Sequence, residues 1–191
     1  MILAVIVLFL LIFGFSLSGK YNTLVQLDEG VQTAWSQVEN VYQRRMDLLP
    51  NLVATVKGEA AFEQETLTQV TEARASATKM TVDVKDSQAM AEFQAQQGGI
   101  SQALGRLLVA SENYPNLKAN QAFSDLRVQL EGTENRITTE RMNYNTTAQK
   151  YNTTIRSFPT NLIAKMFGFE KANLFEANEG AEKAPVVDFT N

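Results

Sequence analysis

From Leu24 onward, apolar side chains recur at three- and four-residue steps: Leu24, Leu27, Val31, Trp35, Val38 and Tyr42. That spacing keeps returning to one face of a 3.6-residue helix and predicts an amphipathic helix. The same phase runs on through Leu49, Leu52, Val53, Val56, Ala60, Leu67, Val70 and Ala77. Between the two runs stands Asp47-Leu48-Leu49-Pro50, where Asp47 suits an N-cap and Pro50 a first turn. A helix break at Pro50 is the preferred expectation, and one long helix kinked there is the alternative. Thr81–Asp86 is β-branched and polar and predicts a connection. A third helix is expected over about Ser87–Ser111, striped by Met90, Phe93, Gln97, Ile100, Leu104 and Leu107. Asn113-Tyr114-Pro115-Asn116 signals a turn. The last helix is expected from about Leu117 to Phe158, with Phe123, Leu126, Leu130, Ile137, Tyr144, Ala148, Tyr151 and Ile155 on its stripe. Long helices with short connections predict an all-α fold, an up-and-down four-helix bundle.

Ahead of Leu24 the chain changes character. Met1 to Gly19 carry no charged side chain, and Ile2, Leu3, Val5, Ile6, Leu8, Phe9, Leu10, Ile12 and Phe13 make the stretch nearly continuous hydrocarbon. As a helix it reaches roughly 28 Å, close to the thickness of a bilayer interior. This predicts an N-terminal transmembrane helix. A cleaved secretory signal is the alternative, but no basic residue precedes Ile2, and Ser16 and Ser18 make a poor cleavage site. Lys20, on the C-terminal side, tips the bundle toward the cytoplasm, although one lysine carries the whole of that signal. The expected organisation is an anchor over 1–19, a helical bundle over 20–158, and a short amphipathic segment with a C-terminal tail over 159–191.

Charged residues interrupt the apolar stripes at Arg45, Glu63, Arg74, Glu134 and Arg141. A buried charge has to pair, so an interhelical ionic network that sets helix register is one expectation; solvation at the stripe edges is the other. Gly58, Gly105 and Gly132 each fall within an expected helix, where close approach of backbones would compensate a cost of about 1 kcal/mol. Tyr144-Asn145-Thr146-Thr147 recurs seven residues later as Tyr151-Asn152-Thr153-Thr154. Seven residues return to nearly the same helix face, so both tyrosines should point inward and find hydroxyl partners. Both copies match a glycosylation pattern, but a packed helix is a poor acceptor. Finally, Asn161–Lys171 carries Leu162, Ile163, Met166, Phe167 and Phe169 between Lys165 and Lys171. It reads either as an interfacial helix at the lipid surface or as a cap on the open end of the bundle.

Composition narrows the chemistry. The 191 residues hold no histidine and no cysteine, which removes imidazole acid–base work, thiolate nucleophiles and the usual zinc ligands. Carboxylate pairs such as Glu131 and Glu134 sit at helical spacings typical of solvated faces, and no phosphate-loop or nucleophile-elbow motif is present. No catalytic residue and no cofactor is expected, and the chain reads as a non-enzyme. A net charge of −4 gives nucleic acid nothing to bind.

Several motifs, taken in order, resemble the LemA family. They are Tyr21-Asn22-x-Leu24-Val25, Trp35-Ser36-Gln37-Val38-Glu39-Asn40, Tyr42 through Val53, Glu112 through Asn120, Leu130 through Ile137, and the Tyr-Asn pairs at 144 and 151. The resemblance implies a single-pass protein of the bacterial cytoplasmic membrane with a helical-bundle domain and no established catalytic activity. Genes of that family often lie near those of membrane metalloproteases or TPM-domain proteins, so the resemblance suggests such partners. Two functional expectations follow. One is a scaffold that self-associates at the bilayer as a homo-oligomer. The other is an adaptor that regulates a neighbouring membrane protein in envelope stress, with Gln37–Arg45 as its candidate surface.

Overall fold

A computed structural model describes residues 2–59, 62–77 and 82–176, with side chains described from Ser18 on. The first helix, α1, runs unbroken over Ile2–Lys57, about 84 Å. It is followed by α2 (Gln64–Ala77), α3 (Ser87–Ser111), α4 (Pro115–Lys118), α5 (Gln121–Arg156) and α6 (Thr160–Phe167). Among the described residues no helix is long and apolar enough to cross a membrane. The side chains of Ile2, Leu3, Val5, Ile6, Leu8, Phe9, Leu10, Ile12 and Phe13, on which the anchor expectation falls, lie outside those described.

The expected break at Pro50 is corrected: α1 passes through it. A proline there removes the N–H that would bond the carbonyl of Met46. Arg74 of α2 supplies the missing donor, its Nε lying 3.3 Å from the Met46 oxygen. The helix therefore keeps its carbonyl satisfied and has no reason to end. The turn comes at Gly58 instead, where N–H groups of Gly58 and Glu59 fall back on Thr55 and Val56 in tight turns. Leu49, Leu52 and Val56 thus finish α1 rather than begin a second helix, and α2 is only 14 residues long.

The four main helices alternate in direction. Gly30 faces Thr147 and Arg45 meets Glu134, so α5 runs antiparallel to α1. Arg106 donates to Gln69 at 3.0 Å, and α2 and α3 form a hairpin. The Asp86 carboxylate caps α3 by accepting from the N–H groups of Gln88 and Ala89. Near residue 117 the expected last helix is split. Pro115 opens the single turn α4, and Asn120 then caps α5 through the N–H groups of Ala122 and Phe123.

Gly105 and Gly132 do not mark close helix contacts. A Cβ at either position meets nothing within 4 Å, and both face solvent. Gly105→Ala and Gly132→Ala should each raise the unfolding free energy by about 0.5–1 kcal/mol, measured by denaturant titration. A loss of stability at either site would show a constraint that the backbone does not reveal.

Past α5 the chain does not leave the bundle. Gly168, at a left-handed φ of 74°, ends α6, and the Phe169 N–H closes on the Ala164 carbonyl at 2.9 Å. An extended strap, residues 169–176, then lies back along α5, burying Ala172 and Phe175.

Candidate functional site

Two apolar clusters fill the bundle. One is centred on Trp35, Phe93, Tyr144 and Phe175, the other on Leu49, Leu52, Leu104 and Leu107. Between them lies a polar layer drawn from three helices. Arg45 follows Tyr42 on α1, Gln97 follows Phe93 on α3, and Glu134 precedes Ile137 on α5.

Arg45 is the centre of that layer and is only 1 % exposed. Its guanidinium donates to Glu134 Oε1 at 2.8 Å and to Ser101 Oγ at 2.9 Å. It also donates to the Gln97 carbonyl at 3.2 Å and to the Gln97 side-chain oxygen. The ring of Tyr42 lies 5.0 Å from its charge centre. Burial pushes the Tyr42 hydroxyl above its ordinary pKa, while the positive charges of Arg141 and Arg45 pull the other way. A cleft of about 760 Å3 opens over this layer, lined by Tyr42, Arg45, Gln97, Ser101, Glu134 and Arg141 among others.

Of the five charged positions that interrupt the stripes, the structure joins Arg45 directly to Glu134. Arg141 lines the same cleft but stacks 4.6 Å over Phe175 and donates to the Glu176 carbonyl. Arg74 is engaged with Met46 at the Pro50 site, and Glu63 accepts from Thr66 at the start of α2. Gln97, which sequence pattern places on an apolar stripe, belongs to the polar layer. Its one signal was a polar residue at a core position.

The Tyr-Asn repeat forms a second polar arrangement: the buried tyrosines find hydroxyl partners as the repeat suggested, but the partner segment and the part played by the asparagines were not predicted. Asn152 exchanges two hydrogen bonds with the main chain of Ala172, donating at 2.8 Å and accepting at 2.9 Å. Asn145 does the same with Phe175 at 3.0 and 2.9 Å. The hydroxyl of Tyr151 donates to the Glu170 carbonyl at 2.8 Å, and that of Tyr144 to the Asn173 carbonyl at 2.7 Å. Both rings are fully buried, and burial raises both hydroxyls far above the ordinary tyrosine pKa. Asn145 and Asn152 are thereby committed to the strap.

The third arrangement is at the leader end of α1. Tyr21 packs against Phe167 at 4.8 Å and Phe169 at 5.8 Å. Ile163 is buried and Phe169 packs partly against the core, whereas Leu162, Met166 and Phe167 are more than half exposed. Phe158, beside them in the chain, is 82 % exposed. The helix α6 is therefore two-sided: one face covers the end of the bundle and the other presents bare hydrocarbon, with Lys20, Lys165 and Lys171 exposed.

None of these arrangements places a nucleophile beside a base, and among the described residues no group of three or more acidic side chains could hold a metal ion. Comparison with known proteins points the same way as the sequence motifs. The chain is 27 % identical to magnetosome protein MamQ 2 of Paramagnetospirillum magneticum over 88 % of its own length and 68 % of that protein. It is 26 % identical to magnetosome protein MamQ of Magnetospirillum gryphiswaldense over 98 % and 75 % of the two chains. It is 29 % identical to protein LemA of Metamycoplasma hominis over 88 % and 74 %. The profile of the LemA family matches residues 34–189, and the chain belongs to that family.

Proposed function

We propose that this protein is a non-enzymatic structural element, anchored in a bacterial cytoplasmic membrane by its apolar leader and self-associating at the bilayer. The observation that carries the reading is the exposed apolar face of α6. Leu162, Met166 and Phe167 are exposed on this helix, and Phe167 packs on Tyr21, where α1 emerges from the uncharged leader. An exposed hydrocarbon face on a segment that also carries exposed Lys165 and Lys171 suits the boundary between acyl chains and headgroups. In this arrangement the leader crosses the membrane, α6 rests on its surface, and α1 and α5 project the bundle away from it. The family relationship and the absence of histidine and cysteine support a role without catalysis.

The alternative is an adaptor that holds a neighbouring membrane protein, such as a protease or a TPM-domain protein. The cleft over Arg45 favours it, because a docked side chain could reach polar partners on three helices there. Two measurements test these readings on the full-length chain in lipid vesicles. A nitroxide on Phe167→Cys, in a protein with no other cysteine, should be at least several-fold more accessible to oxygen than to a water-soluble relaxant. A water-like profile, or release of the protein by an alkaline wash, would remove the membrane reading. A large uniform particle after mild solubilisation supports the scaffold, and a monomer supports the adaptor.

A further inference from the structure

We propose that the α5 face bearing the Tyr-Asn repeat is a binding groove for an extended peptide. Here the chain's own strap fills it, and it accepts the same segment from a second copy of this protein. The choice of partner rests on the self-association proposed above; the groove itself does not.

The hydrogen bonds from the repeat are made to main-chain atoms of the strap, in two equivalent notches. In each notch an asparagine holds both polar groups of one residue, and the preceding tyrosine donates to the carbonyl two residues earlier. The notches match in length. Seven residues of α5 advance about 10.5 Å, and the three residues from Ala172 to Phe175 advance about 10 Å when extended. A helix repeat and a strand repeat thus stay in step across both notches. Reading a backbone this way leaves selectivity to the side chains that point inward.

Those side chains define a short pattern. Ala172 is fully buried, and Phe175 stacks on Trp35 at 5.8 Å with the planes 23° apart. Lys171, Leu174 and Glu176 are exposed. The groove therefore takes a small residue, a half-buried asparagine, one tolerant position at Leu174, and an aromatic one. Asn173 adds a grip of its own, donating through its backbone and its side chain to the Val84 carbonyl.

The strap behaves as a tethered ligand rather than as part of a helix or sheet. It follows Gly168, whose left-handed backbone is a natural pivot. A short tether gives the cis strap an effective concentration of the order of millimolar, which ordinarily excludes a competitor. Crowding on a membrane, or a weakened cis strap, shifts that balance toward a neighbouring chain. Because every copy carries both groove and strap, exchange can be reciprocal or head-to-tail.

Trp35 is the only tryptophan and lies against Phe175, so its fluorescence reports occupancy. In the full-length chain carrying Phe175→Ala, a synthetic peptide of residues 169–176 should produce a saturable fluorescence change. The change should need at least tenfold more peptide when the peptide itself carries the alanine, and should vanish in the added background of Asn145→Ala with Asn152→Ala. No saturable response up to millimolar peptide, or an equal response to a scrambled peptide, overturns the groove. The copy-to-copy step has its own test. A chain with a broken groove but an intact strap (Asn145→Ala, Asn152→Ala) is mixed with the Phe175→Ala chain, whose groove is intact. A one-to-one complex beyond what either forms alone supports exchange. If peptide binds but the two chains do not pair, exchange between copies is overturned whatever the outcome for membrane assembly.

Discussion

Glu134→Ala should lower the unfolding free energy by about 2–3 kcal/mol, measured by denaturant titration of the full-length protein. The substitution leaves Arg45 as a cation that is 1 % exposed and has lost its counter-charge. Breaking a fully buried pair from one side costs about 3–5 kcal/mol, and a smaller loss is expected here because the Glu134 side chain is itself 41 % exposed and gains less from the contact. Arg45→Met, which removes the charge and keeps a long side chain, should cost less than Glu134→Ala. The double variant should be no worse than Glu134→Ala alone. If the two single losses simply add, Arg45 and Glu134 are not coupled. The layer lies between two apolar clusters.

Asn152→Ala should cost about 2–3 kcal/mol by the same measurement. It strands the N–H and the carbonyl of Ala172, a residue with no exposure, and removes two hydrogen bonds at once. Asn152→Asp should cost more, since the carboxylate cannot donate and brings a charge against the Ala172 carbonyl oxygen. Equal effects of alanine and aspartate would mean that the strap is not held by this pair. The tyrosines add a pH signature. Burial, with the Asp28 charge helping at Tyr151, raises both hydroxyls, so the folded chain keeps two protons that the unfolded chain sheds near pH 10. Stability is therefore unaffected by them below about pH 10. Above it stability falls by about 1.4 kcal/mol per pH unit for each tyrosine, until the folded state also ionises. Tyr144→Phe with Tyr151→Phe should flatten that alkaline fall, and an unchanged slope would contradict the burial of the two protonated hydroxyls.

Helix α3 was legible from end to end, because its stripe, the polar connection before it and the following Asn-Tyr-Pro-Asn turn agree locally; that Asp86 caps it came from the structure. The inward direction of Tyr144 and Tyr151 was legible for the same reason: a seven-residue repeat is a property of one helix. Pro50 misled because its local effect is to break a helix, and the donor that rescues it comes from Arg74, 24 positions later in sequence. Because α1 continues past Pro50 to Lys57, α2 is left with only 14 residues. Glycines at 105 and 132 misled in the opposite sense, since a missing side chain has no local sign that tells a close contact from an empty surface. Arg45, Glu63, Arg74, Glu134 and Arg141 all interrupt a stripe in the same way, yet one cross-helix salt bridge forms among them.

What the amino-acid sequence determined by itself is the helical class, both ends of α3, the family, and the absence of imidazole and thiol chemistry. Periodicity, capping and composition act over a few residues and can be read in one dimension. The tertiary structure alone decided that Arg45 pairs with Glu134, that Arg74 rescues Pro50, and that the two Tyr-Asn units grip the returning strap. Each of these joins groups from 19 to 89 positions apart. Such contacts depend on how the helices align, and a pattern along one chain cannot state that alignment.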